Sequence, residues 1–86
     1  MPANIDPDIC NAIGTVLAET DNHQPPTART LHLWAQPYLR TPASVADVQR
    51  HVNHLEARGD IQRHADPDNP TILSYSLTEA GRRRFA

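Results

Sequence analysis

The residues with the greatest chemical reach lie together in Ser44-Val45-Ala46-Asp47-Val48-Gln49-Arg50-His51-Val52-Asn53-His54. Gln and Asn carry a donor and an acceptor side by side, the complement of the adenine edge, and Arg makes two parallel bonds to guanine. Gln49, Arg50 and Asn53, with Ala46 beside them, are therefore a set suited to base edges in a major groove. Ser44, at the head of the same segment, can offer its hydroxyl and the helix N–H groups to a phosphate. His54 and Arg63 complete the candidate contact set, Arg63 as a phosphate ligand. A plainer reading stands beside this one: Arg50 and Arg58 can pair with Asp47 and Glu56 on an ordinary solvated face.

Other chemistries find less support. His51 and His54 stand three apart on a helical segment, and His23, His32 and His64 complete the histidines. Without cysteine or carboxylate ligands at set spacing they do not compose a metal site, so neither metal nor cofactor is expected. No Ser/His/Asp order, Gly-rich phosphate loop or paired-carboxylate motif occurs, and the chain is read as a non-enzyme. Cys10, the single cysteine, falls beside an apolar stripe and is read as core rather than as a redox centre.

The elements that must position these residues follow from periodicity. Asp6 and Pro7 start a helix over about 7–20 whose stripe is Ile9, Ile13, Val16 and Leu17. Asp21 to Pro26 has loop composition. Thr27 caps a second helix to about Gln36 with Leu31, Trp34 and Ala35 inward and Leu33 flanking the stripe or facing a partner. Pro37 closes or kinks that helix, and Tyr38 and Leu39 fill the space before the next. Two start signals compete for the third helix, Thr41 with Pro42 or Ser44 with Asp47, and the Ser44 cap is preferred as a capping-box variant. Val45, Val48, Val52 and Leu55 then form the buried face as far as Arg58, and Gly59 ends the helix as a left-handed cap. Ile61 to Ala65 and Ile72 to Leu77 read as a β-hairpin around the turn-rich tip Asp66-Pro67-Asp68-Asn69-Pro70, and Thr78 caps a last helix to Phe85.

With 86 residues there is room for one small core. A lone cysteine excludes an internal disulfide framework, which makes dimerisation the expected source of extra stability. No run approaches a membrane span and no basic-then-apolar start marks a signal peptide, so a cytoplasmic protein without membrane contact is expected. The net charge of −2 divides unevenly: residues 1–26 carry four acids and no Arg, while residues 27–86 hold all eight Arg against six acids. All the cations are Arg, whose planar fork suits phosphate and guanine. Arg82-Arg83-Arg84 spreads around a helix at roughly 100° per residue, so the run complements the helix dipole, touches nucleic-acid backbone or belongs to a dimer helix.

Two runs resemble a known family. Val48-Gln49-Arg50-His51-Val52-Asn53-His54-Leu55-Glu56-Ala57-Arg58-Gly59-Asp60-Ile61 is similar to the recognition helix and exit of MarR- and PadR-like regulators, V-S-R-H-L-x-x-L-E-x-R-G-x-I/V. Tyr75-Ser76-Leu77-Thr78-Glu79-Ala80-Gly81-Arg82 resembles the Y-x-L-T-E-x-G-R/K run that closes the wing in those families. The resemblance covers residues 27–86 and implies an α+β winged helix-turn-helix: a three-helix core, a two-stranded β wing and a short C-terminal helix. The domain then divides into a first helix and loop (1–26), helix-turn-helix (27–60), wing (61–77) and C-terminal helix (78–86). It further implies a transcriptional regulator bound to double-stranded DNA through a recognition helix over about 44–58, and strengthens Arg50 as a contact. Family wings carry Arg at the tip, whereas this tip holds Asp66 and Asp68 and no cation. Family proteins also carry terminal helices that build the dimer; here the first helix, Leu33 and Phe85 are the candidates for that role. The acidic first helix and wing tip keep a second expectation open, a winged helix used as a protein-interaction module that has lost DNA contact.

Overall fold

The computed structural model describes residues 5–21 and 24–85. Of the candidate metal-ligating histidines, His23 therefore lies outside the described residues. The elements run α1 (Pro7–Glu19), α2 (Ala28–Ala35), a 3-10 turn (Gln36–Tyr38), α3 (Val45–Arg58), β1 (Ile61–Ala65), β2 (Leu73–Leu77) and α4 (Glu79–Phe85). This is the expected α+β order, and each helix begins where a side chain satisfies its free N–H groups. The Asp6 carboxylate accepts from the Asp8 N–H at 2.9 Å ahead of Pro7, and Thr27 Oγ1 accepts from the Thr30 N–H at 3.3 Å. Ser44 is the cap of α3, with a reciprocal capping box to Asp47.

The core gathers one stripe from each helix and the inner face of the hairpin. Ile9, Ile13, Val16 and Leu17 of α1 are all buried, as is Cys10, whose thiol burial pushes above its ordinary pKa. Complete burial of Ile13, Leu31 or Leu55 contributes roughly 1.5–3 kcal/mol each before entropy is counted. Helix α1 packs against α2, α3 and α4 and so acts as the spine of the domain. On α3 the buried set is Val48, His51, Val52 and Leu55. Val45, expected inside, is 42% exposed because the first turn of α3 projects beyond the core, and the fully buried His51 fills the stripe instead.

Three other expectations are corrected. Trp34 is 43% exposed: α2 stops at Ala35 and tightens into the 3-10 turn at Pro37, leaving Leu31 and Ala35 to meet the core and Trp34 over a groove beside Leu33. Of the pair expected to fill the next gap, Leu39 packs on the core, while Tyr38 is exposed and donates its hydroxyl to Glu19 at 2.8 Å. Phe85, a candidate dimer residue, is turned inward, and its ring lies where a β-carbon on Gly14 would have to be.

The hairpin is antiparallel, with Ile61 opposite Leu77, Arg63 opposite Tyr75 and Ala65 opposite Leu73. Strand β2 begins at Leu73; Ile72 stays in the tip, where its N–H donates to the Asn69 carbonyl at 2.9 Å. The hairpin gains an edge contact that loop composition hides: Thr27 bridges to Ser74, and the Tyr75 N–H donates to the Pro26 carbonyl at 2.9 Å.

The exit of α3 is tied to α4. Gly59 has φ 90°, the left-handed conformation that ends the helix, and the Asp60 N–H returns to the Leu55 carbonyl at 2.9 Å. Asp60 is 1% exposed, and its carboxylate accepts from Arg58 at 2.7 Å and Arg84 at 3.0 Å. Its backbone carbonyl takes the Thr78 N–H at 3.0 Å and lies against Gly81, where any side chain would collide with it.

Candidate nucleic-acid interface

The interface is built on the capped end of α3. The Asp47 N–H donates to Ser44 Oγ at 3.0 Å and the Ser44 N–H donates back to Asp47 Oδ2 at 3.4 Å. These bonds fix where the helix starts and hence which side chains face outward. Because Val48, Val52 and Leu55 are completely buried, the opposite face carries Ala46, Arg50 and Asn53, all exposed. Ser44, the cap itself, is exposed at the start of the helix.

Gln49 lies on the flank toward the hairpin rather than at the centre of that face. Its Nε2 donates to Asn53 Oδ1 at 2.9 Å and to the Tyr75 hydroxyl at 3.2 Å. His54 is half-buried on the other flank, since residues five apart on a helix differ by roughly 140°. The structure thus groups Ala46, Arg50 and Asn53, leaves Ser44 at the helix start, sets Gln49 against the wing and turns His54 away from it.

Electrostatics divides the arginines. Arg50 Nη2 meets Asp47 Oδ1 at 3.4 Å, with both side chains well exposed, a pair of little stability value that can open for another anion. The Ser44 backbone N–H, then its hydroxyl and the Arg50 charge, hold the Asp47 carboxyl below the usual carboxylate range. Arg63 on β1 meets Glu56 of α3 at 3.5 Å, in the crevice between α3 and the wing. The run Arg82-Arg83-Arg84 is divided among Asp21 at 2.8 Å, Glu79 at 2.7 Å and Asp60 at 3.0 Å. Among the described residues this leaves Arg29 and Arg40 as the arginines outside any ion pair. Arg40, exposed in the turn before Ser44, was absent from the candidates read from sequence. Its position in that turn is the signal that could have found it.

The wing tip is acidic for a local reason. Asp66 Oδ1 accepts from the N–H groups of Asp68 at 2.8 Å and Asn69 at 3.1 Å, and Asn69 Oδ1 accepts from the Thr71 hydroxyl at 2.6 Å. These side chains replace backbone partners in a tight turn. Among the described residues, no three His, Cys, Asp or Glu side chains cluster as a metal site would need. No helix among them is long and apolar enough to cross a membrane.

No family model matches the sequence, and no curated protein matches it. The likeness to known proteins is carried by the backbone. A variant of ZitR from Lactococcus lactis in its apo form superposes with a TM-score of 0.69 at 20% identity, over 91% of this chain and 52% of that one. A Pseudomonas aeruginosa protein described as a probable transcriptional regulator gives 0.65 at 28% identity, over 96% and 55%. A protein from Ralstonia eutropha JMP134, described only provisionally as DNA-binding, gives 0.67 at 24% identity over 94% of this chain and 93% of that one. The chain thus spans about half the length of the first two and nearly the whole of the third. With its helices and hairpin in that order, the chain has the winged helix-turn-helix fold, which it shares with the solved structures it superposes on.

Proposed function

We propose that this chain is a sequence-specific DNA-binding transcriptional regulator that reads the major groove with α3, as a single winged-helix domain working in the cytoplasm by binding rather than catalysis. The observation that carries the reading is the outward face of α3, with Ala46, Arg50 and Asn53 exposed directly opposite a fully buried stripe. The groove is about 12 Å wide and accepts one helix. Arg50 releases Asp47 to take a guanine edge, Gln49 and Asn53 take adenine, and Ala46 lies against a thymine methyl group. Ser44 with the helix N-terminus, Arg63 and His54 hold backbone phosphates, and Arg40 adds a further phosphate contact from the turn. The description of the Pseudomonas aeruginosa relative as a regulator supports the same assignment. A homodimer fits it, since two copies can set two recognition helices in successive major grooves about 34 Å apart.

The second reading, a protein-interaction module, is favoured by the charge ledger: six of the eight arginines are engaged by acids, and the wing tip carries Asp66 and Asp68. Salt dependence separates the two, because phosphate contacts release counterions and protein docking does not. Fluorescence anisotropy against random duplex at about 50 and 200 mM salt tests the regulator. Binding that weakens steeply with salt, and by roughly a further 1–3 kcal/mol on Arg50→Ala at a selected site, is the expected result. Absence of binding at low salt overturns the regulator reading in favour of the interaction module.

A further inference from the structure

We infer that the outer face of α2 is the docking surface for a second copy of this chain, which lays its own α2 antiparallel against it across a two-fold axis between Leu33 and Trp34. Leu33 stands about 200° round the helix from the buried Leu31 and, at 66%, is the most exposed of the large hydrophobic side chains among the described residues. Trp34, Pro37 and Tyr38, all exposed, continue the apolar surface along a groove that reaches Val16 of α1. A continuous patch of this kind, unlike a lone exposed leucine, marks a surface that another molecule covers.

The charges at its two ends say which molecule. Arg29 lies one turn before Leu33 on the same side of α2; it is exposed and, among the described residues, stands outside any ion pair. At the far end the Tyr38 hydroxyl holds the exposed Glu19 carboxylate, with both oxygens at 2.8 Å. The strip therefore runs from a cation through an apolar middle to an anion, and the Leu33-Trp34 step lies midway between Arg29 and Tyr38. Turning a second copy through a half-turn about that midpoint exchanges the ends. Leu33 then faces the partner's Trp34, and Arg29 faces the partner's Tyr38 with the carboxylate it holds. One isologous contact thus makes two ion pairs and covers both halves of the patch. An unrelated partner would have to match the apolar strip and its polarity together, whereas a copy of the chain matches both by symmetry. The residues of α2 turned toward α3 are His32 and Gln36, which bond the Ala43 carbonyl at 2.8 and 3.2 Å, and none of the α3 residues assigned to DNA lies in the patch. This gives the homodimer proposed above a surface, and it does not require that α3 bind DNA.

The test is sedimentation velocity on the full chain without DNA, from about 5 to 500 µM in about 50 mM salt, where exposed charges are little screened. Wild type is expected to pass from monomer to dimer as concentration rises. Leu33→Asp, at a fully outward position, should stay monomeric throughout with an unchanged circular dichroism spectrum. Arg29→Glu and Glu19→Arg each set like charges against one another at both ends of the contact, and each should dimerise about tenfold more weakly than wild type. Mixed in equal amounts, the two variants should regain wild-type association, because in the heterodimer both ends again join opposite charges. A pairing of Arg29 with Glu19 inside one chain would give no such rescue. A wild-type chain that stays monomeric at the highest concentration, a dimer indifferent to Leu33→Asp, or a mixture without rescue overturns the inference. Each of those outcomes leaves the DNA-reading role of α3 to its own salt-dependent binding test.

Discussion

The backbone N–H of Asp6 donates to Nε2 of His51 at 2.9 Å, joining the cap of α1 to the middle of α3. On its other side the ring donates from Nδ1 to the Asp47 carbonyl at 2.6 Å. An N–H can only donate and a carbonyl can only accept, so the ring is the neutral Nδ1–H tautomer with both nitrogens committed. That leaves no ring nitrogen for a metal and makes His51 a strut between the spine of the domain and its candidate reading helix. Replacing it with Ala opens a cavity and strands the Asp6 N–H; a loss of about 2–4 kcal/mol in urea unfolding is expected.

Asp60 makes stability depend on acid. Burial alone would push its carboxyl upward, but hydrogen bonds from Arg58 and Arg84 prevail and hold it below the usual carboxylate range. A depressed folded-state pKa adds stability that is present above the unfolded value, near 3.8, and is lost as pH falls through the folded value. Unfolding free energy measured from pH 6 down to pH 2 should therefore fall along a limb that Asp60→Asn flattens. At neutral pH the same variant should be less stable by roughly 1–3 kcal/mol.

Gly14 and Phe85 form a matched pair. Gly14→Ala places a methyl group against the Phe85 ring and costs about 1–3 kcal/mol, although Ala is otherwise the better helix former. In a Phe85→Ala background the clash is gone, and Gly14→Ala should become neutral or stabilising. A double-mutant cycle by thermal unfolding measures the coupling, and additive effects would contradict the contact.

Ser44→Ala removes one half of the capping box and should lower stability by about 0.5–2 kcal/mol. Ser44→Asp keeps an acceptor for the Asp47 N–H and should restore most of that stability. The same Asp variant should weaken DNA binding, because it sets a second carboxylate at the end of α3 proposed to hold a phosphate. Comparing melts with anisotropy on the two variants separates the structural role of Ser44 from its proposed contact role.

Asp47→Asn frees Arg50 from its partner and removes a negative charge from the first turn of α3. Affinity for duplex DNA at low salt should rise about threefold, with a steeper salt slope than wild type. An unchanged or reduced affinity would mean that Arg50 is not drawn from Asp47 to the nucleic acid.

What the sequence determined by itself was local. The caps at Asp6, Thr27 and Ser44, the left-handed Gly59 and the hairpin between Ile61 and Leu77 depend on neighbours within a few residues, and their chemistry is written in adjacent letters. Periodicity likewise marked the stripe of α1 and most of that of α3. Tertiary structure decided whatever needs two distant segments to meet. Val45 stayed outside its expected stripe and His51 entered it because burial depends on where the core ends, and a buried His is tolerable only when backbone groups satisfy it. Trp34 stayed outside because no helix arrives to cover it among the described residues, and Phe85 went inside because Gly14 leaves it room. The ion pair of Arg82 with Asp21 and the hydrogen bond from Gln49 to Tyr75 join residues 26 or more positions apart, whereas the pair of Arg50 with Asp47 lies within one helix and was legible from spacing. Hydropathy records which residues avoid water; only the packed chain decides which of them meet.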